Sequence, residues 1–198
     1  MRNLLEKWNQ YSADTDRRIS LEFNHSLTER LFALDEADAP RSQEALEGIK
    51  NNDWEPSSPK SFYDSLTCKS ADDSCVNKHP EMTTGYNLSD LTKMKLYKLE
   101  GMNIGFAIKE LKGRHQEIVA VHNNEAGVGG IGRVLMESAI ENGGCFLDHF
   151  ATPALNNLYS KLGFEEYEKY DFDPQYVSDG FVEKYGEVDV ILRRHKDC

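Results

Sequence analysis

Four glycines in a span of six residues, Gly127, Gly129, Gly130 and Gly132, with Arg133 directly after them, are the part of this chain best suited to chemistry. Ahead of them Ile118 to Val121 is a short, mostly β-branched apolar run of the kind a buried strand carries. Behind them Ile131, Val134, Leu135, Ala139 and Ile140 fall on one side of a helix. The first turn of such a helix leaves N–H groups without intrahelical partners, and the macrodipole adds positive potential there. Glycines let the loop bring its backbone against a ligand, so a phosphate or pyrophosphate is the natural occupant. The plainer alternative is a tight turn that binds nothing. Two familiar phosphate loops fit poorly. A Walker loop needs Lys-Ser/Thr after its last glycine, and Gly132 is followed by Arg133-Val134. Gly127-x-Gly129-x-x-Gly132 spells the dinucleotide fingerprint, yet only Asp148 stands near the acidic position and nothing downstream continues a doubly wound sheet.

A third pattern fits better. Gly129-Gly-Ile-Gly-Arg-Val-Leu-Met136, followed by Leu155-Asn-Asn-Leu-Tyr-Ser-Lys-Leu-Gly-Phe164, resembles motifs A and B of the GNAT acyltransferase superfamily. In that family the first motif is (Arg/Gln)-x-x-Gly-x-(Gly/Ala), and its backbone amides hold the pyrophosphate of acetyl-CoA. The second ends in Leu-Tyr-x-x-x-Gly-Phe, which Leu158-Tyr159 through Gly163-Phe164 matches at every position. The resemblance covers residues 93–194 and implies a mixed α/β (α+β) fold, a mostly antiparallel sheet with flanking helices. It implies acetyl-CoA as the cofactor, held at Val121, His122, Gly127, Val128, Gly129, Gly130, Ile131, Gly132 and Arg133. Tyr159 then becomes the general acid for the departing thiolate, and Glu117, opening the strand before the loop, the general base for an amine. His122, Asp148 and, less directly, His149 are alternative bases near the strand ends. Without the family, Tyr159 reads as a helix tyrosine packed on the sheet and Glu117 as a strand-end surface carboxylate. Two positions depart from the family pattern: Gly127 stands at the Arg/Gln place, and Thr152 where an asparagine commonly precedes the tyrosine. Asn142 to Phe150 with Phe172-Asp-Pro-Gln-Tyr176 is also similar to a GNAT-like group of bacteriophages and prophages.

Those residues need strands and helices to hold them, and the pattern supplies them from Leu88 on. Lys93 to Leu99 alternates, Asn103 to Leu111 alternates again, and Glu100-Gly101 lies between them as a hairpin turn. Lys112-Gly113-Arg114 turns into a third strand over Glu117 to Val121. Asn142-Gly143-Gly144 stops the helix behind the glycine loop, and Cys145 to Phe150 makes a strand parallel to the third. Thr152-Pro153 is an N-cap followed by proline at the first helical position, opening a helix to about Leu162. Phe164 to Tyr170 and Val188 to Arg193 close the sheet, and Asp171 to Tyr176 would face the acceptor.

The first 50 residues read as an N-terminal helical part: Leu4, Leu5, Trp8 and Tyr11 on one face, a strand over Arg18 to Phe23, a helix from Thr28, and a helix over Ser42 to Lys50. Residues 51–90, rich in Pro, Ser, Asp and Asn, read as a long loop or flap. Cys68, Cys75 and His79 are three potential metal ligands, but the spacing is not a zinc knuckle and no fourth ligand lies nearby, so no metal is expected. All four cysteines read as unpaired thiols in a reducing cytoplasm.

At 198 residues one domain is expected, with chain enough for a core. A net charge of −11 opposes a nucleic-acid partner and permits a cationic one. No apolar run approaches the ~18 residues of a membrane span. The expectation is an acyltransferase moving an acetyl group from acetyl-CoA to a small-molecule or protein amine. The alternative is a non-catalytic protein of the same fold whose acidic surface binds a basic partner.

Overall fold

The computed structural model describes residues 40–68, 74–76, 86–111, 116–174, 182 and 186–198. The elements expected at Leu4–Tyr11, Arg18–Phe23 and from Thr28, and the candidate ligand His79, lie outside the described residues.

The fold is mixed α/β: a seven-stranded, mostly antiparallel sheet with helices packed against it. In chain order the elements are α1 (Pro40–Lys50), β1 (Trp54–Pro56), α2 (Pro59–Thr67), α3 (Leu88–Leu91), β2 (Met94–Leu99), β3 (Ile104–Glu110) and β4 (Gln116–Asn123). Then follow α4 (Gly132–Glu141), β5 (Phe146–Phe150), α5 (Pro153–Lys161), β6 (Phe164–Tyr170) and β7 (Val190–His195). Spatial order is β1-β2-β3-β4-β5-β7-β6. Among the described strands β4 and β5 are the one parallel neighbouring pair.

The helices pack through the positions their sequence leaves apolar or small. On α1, Ser42, Ala45 and Ile49 are buried at helical spacing, and Gly48 lies against Leu99 of β2. On α2, Phe62 and Leu66 sit one turn apart and are fully buried. Phe62 meets His122 of β4 edge-on at 5.0 Å. Gly105 of β3 is what admits it, since a Cβ there would come within 2.9 Å of the His122 ring and 3.3 Å of Phe62. Across the β2–β3 pair Tyr97 stacks on Phe106, with Trp54 of β1 set edge-on to the same ring. One apolar cluster runs from Ala45 through the strands to Leu158 and Phe164. No described helix is long and apolar enough to cross a membrane.

The described parts of residues 51–90 depart from the loop expected there. Trp54–Pro56 pairs with Tyr97–Leu99, and Pro59–Thr67 is a helix capped by Ser58, whose hydroxyl accepts from the Ser61 N–H at 3.2 Å. The Pro-Ser-Ser-Pro run looked like loop punctuation, but its last two residues are an N-cap and a first-turn proline, as Thr152-Pro153 are for α5. Asn87 and Asp90 form a capping box that opens α3.

The cysteines also correct the expectation. Cys68 is bonded to Cys75 and Cys145 to Cys198, with Cα separations of 5.3 and 5.8 Å. Cys68 ends α2 in the left-handed region at φ 51°. Cys145 and Cys198 are brought together by the pairing of β5 with β7, where the His195 N–H donates to the Cys145 carbonyl at 2.8 Å, a contact that spacing along the chain does not show.

Candidate active site

The gap between β4 and β5 organises the site. These parallel strands pair at a single position, Glu117 with Phe146, extended by the Cys145 N–H donating to the Gln116 carbonyl at 2.8 Å. Both strands then run on, to Asn123 and Phe150, without further pairing. A bulge in β4 lies just past the last shared position. Gly105 faces His122 while Ala107 faces Val119, so β4 carries one residue more than β3, and Ala120 takes φ 50° to absorb it. The glycine loop begins where β4 ends, and α4 begins where the loop ends.

The loop is held from behind. Val128 and Ile131 are buried and anchor it to the core. Asn123 donates to the Val128 carbonyl at 3.1 Å, and the Gly129 N–H donates to the Ser42 hydroxyl of α1 at 3.0 Å. Gly127 and Gly130 take φ of 69° and 66°. Glu125, its side chain at 0% exposure, accepts from Arg41 (2.6 Å), the Asn103 N–H (2.8 Å), the Asn103 amide (3.1 Å) and Ser74 (3.3 Å). Backbone bonds Val76 N–H to Asn124 carbonyl and Ala126 N–H to Ser74 carbonyl lay residues 74–76 alongside, and Asn124 donates to the carbonyls of Ser65 and Leu66. The Cys68–Cys75 bond joins the same strap to α2. By contrast α4 starts at Ile131 with no side-chain cap. The first-turn N–H groups therefore have no side-chain partner and the loop before them is braced, the arrangement an anion uses.

Each expected site residue can now be placed. Gly127, Gly130, Ile131, Gly132 and Arg133 line the loop and the start of α4. The Gly129 N–H is committed to Ser42 and is not available to a ligand. Arg133 pairs along the helix with Glu137 at 2.8 Å, and both are exposed. Val121 is buried in β4 beyond the bulge. His122 turns away from the gap: its Nδ1 meets the Ala120 carbonyl at 3.1 Å and its Nε2 meets the Ser65 hydroxyl at 2.9 Å. Nδ1 therefore carries the hydrogen and Nε2 accepts from Ser65. Burial lowers its pKa to about 4, with the Lys98 charge adding to the effect and the Ala120 bond opposing it. A neutral ring with both nitrogens engaged is not free to act as a base, and the Ser65–His122 pair is sealed from substrate at 1% and 2% exposure.

Glu117 is not the surface carboxylate its strand-end position indicated. It is 2% exposed and pairs with Lys109 of β3 at 3.7 Å. It lies at the closed end of the gap, opposite Phe146. Tyr159, on α5, is likewise buried, its ring 4.8 Å from His149 and 6.0 Å from Phe164. Burial raises its pKa, Asp148 raises it further and Arg193 opposes the rise. Thus Asp148 and His149 of β5 and Tyr159 of α5 share one neighbourhood, and Glu117 belongs to the neighbouring strand. Among the described residues no group of acidic, His or Cys side chains is arranged to hold a metal.

The chain is similar to one solved acetyltransferase. That structure, an IAA acetyltransferase from Bacillus cereus ATCC 14579, aligns at 22% identity and a TM-score of 0.44, over 72% of this chain and 97% of that one. No protein-family profile and no curated protein matches.

Several residues that build the site carried no signal in the sequence. Arg41, Ser42, Asn103 and Glu125 are far apart along the chain and look like ordinary helix and turn residues. The Asn123-Asn124-Glu125 run does mark the site in retrospect, since three polar residues directly after a buried strand must find partners or solvent. Arg193 carried no such signal, since it opens the basic run Arg193-Arg194-His195-Lys196 that follows Leu192.

Proposed function

We propose that the chain is a GNAT-type N-acetyltransferase that uses acetyl-CoA and an amine acceptor. The observation that carries this reading is the parting of β4 and β5 after Glu117–Phe146, with an uncapped helix start and a rigid glycine loop at the wide end. The fit to a pyrophosphate is good at this loop. A Cβ at Gly127 would meet nothing within 4 Å, so the approach to its backbone is open. The N–H groups of Gly130, Ile131, Gly132 and Arg133 would hold the diphosphate, with Gly129 excluded as a donor. Acetyl-CoA, when bound, supplies the activated thioester. Tyr159 holds its proton on Oη, where burial and Asp148 keep the phenol form, and is the group to deliver it to a leaving thiolate. Glu117 is the group to take a proton from the amine, and its contact with Lys109 makes a relaying water the more direct route. The net charge of −11 favours a cationic acceptor such as a polyamine or a lysine side chain.

The Glu117–Lys109 pair also supports a second reading, a non-catalytic protein that keeps the cofactor loop and engages a basic partner. Calorimetry separates the cases. Wild type should bind acetyl-CoA, and Gly130→Asp or Gly132→Asp should lose that binding, because a carboxylate there fills and repels the anion position. No heat from the wild type at millimolar ligand defeats the proposal outright. Binding without turnover of any amine in a broad panel hands the lead to the binding protein.

A further inference from the structure

Arg193 of β7 is 5% exposed, yet among the described residues no carboxylate lies within ion-pairing distance of it. Four neutral acceptors surround the guanidinium instead. Its Nε donates to His149 Nε2 at 2.7 Å, one Nη to the Phe164 carbonyl (3.1 Å) and the Ser160 hydroxyl (3.4 Å), and the other Nη to the Asn156 carbonyl oxygen at 2.9 Å. His149 in turn donates from Nδ1 to the Phe150 carbonyl at 2.6 Å, so its neutral tautomer is fixed and its Nε2 lone pair belongs to Arg193. These partners frame one side chain. Asn156 and Ser160 flank Tyr159 on α5, His149 lies against its ring, and Phe164 closes the ring edge-on.

We propose that Arg193 is a positioning residue for Tyr159: it ties α5 to β5, β6 and β7 at once and so fixes where the phenol points. The proposal deepens the acyl-transfer reading and rests on it. A buried guanidinium is costly to keep even with the charge of Glu166 on the paired strand, and a hydrophobic residue would fill the same space more cheaply. What a guanidinium adds is a rigid planar fork that satisfies acceptors on three other elements in fixed directions. Its charge also acts on Tyr159 in the sense opposite to Asp148. Losing it would leave the cofactor loop untouched, since that loop is held by Ser42, Asn123 and Glu125.

The full-length protein carries the test. Arg193→Met should lower kcat about 10–100-fold, the size of effect that a misplaced catalytic group produces, while the Kd for acetyl-CoA changes less than about threefold. Arg193→Lys, with one donor head in place of the fork, should recover part of the rate. In NMR spectra the Overhauser contacts between the Tyr159 and His149 rings should weaken in Arg193→Met, and the His149 Nε2 resonance should move as it loses its donor. An unchanged kcat with the ring contacts intact overturns the proposal. If Arg193→Met does not fold, Asn156→Ala decides, because it removes one arm from the helix surface: a smaller fall in kcat at constant Kd supports the role, and no change overturns it. A wild type that acetylates no amine refutes the acyl-transfer reading instead, and the ring contacts then judge the positioning alone.

Discussion

The two strands that part from one another each carry a buried histidine, and the groups that hold them differ. On β4, His122 gives its Nδ1 hydrogen to the Ala120 carbonyl and accepts from a serine of α2. On β5, His149 gives its Nδ1 hydrogen to the Phe150 carbonyl and accepts from the Arg193 guanidinium. The same division runs through their surroundings. On the β4 side the buried charge is a carboxylate, Glu125, matched by Arg41 and three neutral donors. On the β5 side it is a cation hydrogen-bonded by neutral acceptors, with Glu166 of the paired strand acting on it through charge. The β4 side is thus built to be stiff behind an anion site. The β5 side keeps a buried positive charge beside Tyr159 with no carboxylate among its hydrogen-bond partners, an arrangement that stability alone does not require.

The disulfides give the largest handle on this contrast, since each side has one. Cys68–Cys75 closes a sequence separation of 7 and Cys145–Cys198 one of 53. Chain-entropy arguments put the stabilisation at about 2.5 and about 4 kcal/mol respectively. Cys198→Ser should therefore lower the unfolding free energy of the oxidised protein by about 4 kcal/mol, and Cys75→Ser by less. Urea unfolding with and without reductant measures both. A midpoint indifferent to reductant, or four free thiols by mass spectrometry, would remove these bonds from the description.

Next in size is the loss of a buried charge on either side. Glu125→Ala strands the Asn103 N–H and the Ser74 hydroxyl behind the loop, at a cost of about 3 kcal/mol. Arg193→Met leaves acceptors such as the Phe164 carbonyl without their donor but also removes a cation whose burial works against its charged form, so its net cost should be smaller, about 2 kcal/mol, although its effect on turnover is large. Equal destabilisation by the two variants would break the comparison.

The smallest expected effect is the acid response of His122. Its pKa is depressed in the folded state to about 4, against about 6.5 unfolded. The unfolded chain therefore binds the proton first, and stability falls as pH drops below about 6.5, levelling off below about 4. Between pH 6.5 and 5 the contribution changes by about 1.6 kcal/mol. The check is the difference in unfolding free energy between wild type and His122→Gln across that range. A difference that stays constant with pH would show that His122 titrates normally.

Much of the framework was legible before any coordinates. The alternation at Lys93–Leu99 and Asn103–Leu111 gave β2 and β3, the glycine run gave the loop before α4, and Thr152-Pro153 gave the start of α5, to within a residue or two. Local rules suffice there because side-chain period and capping chemistry act over a few residues. They failed at Ser58-Pro59, where the same capping signal sat inside a run that looked like loop. They failed at Glu117 and His122 for another reason. Whether a polar residue at a strand end faces solvent or a lysine of the next strand depends on pairing partners that lie elsewhere in the chain.

By itself, then, the sequence determined the order of strands and helices from Lys93 on, the place of the glycine loop and the tyrosine that follows it, because periodicity, glycine freedom and helix caps are properties of neighbours. Only the tertiary structure decided that β4 and β5 part after one shared position, that Ser42 takes the Gly129 amide, that Glu125 braces the loop, and that Arg193 grips α5 around Tyr159. Those contacts join residues tens of positions apart, from Arg41 to Glu125 and from His149 to Arg193, and their energy exists only once the core has brought them together.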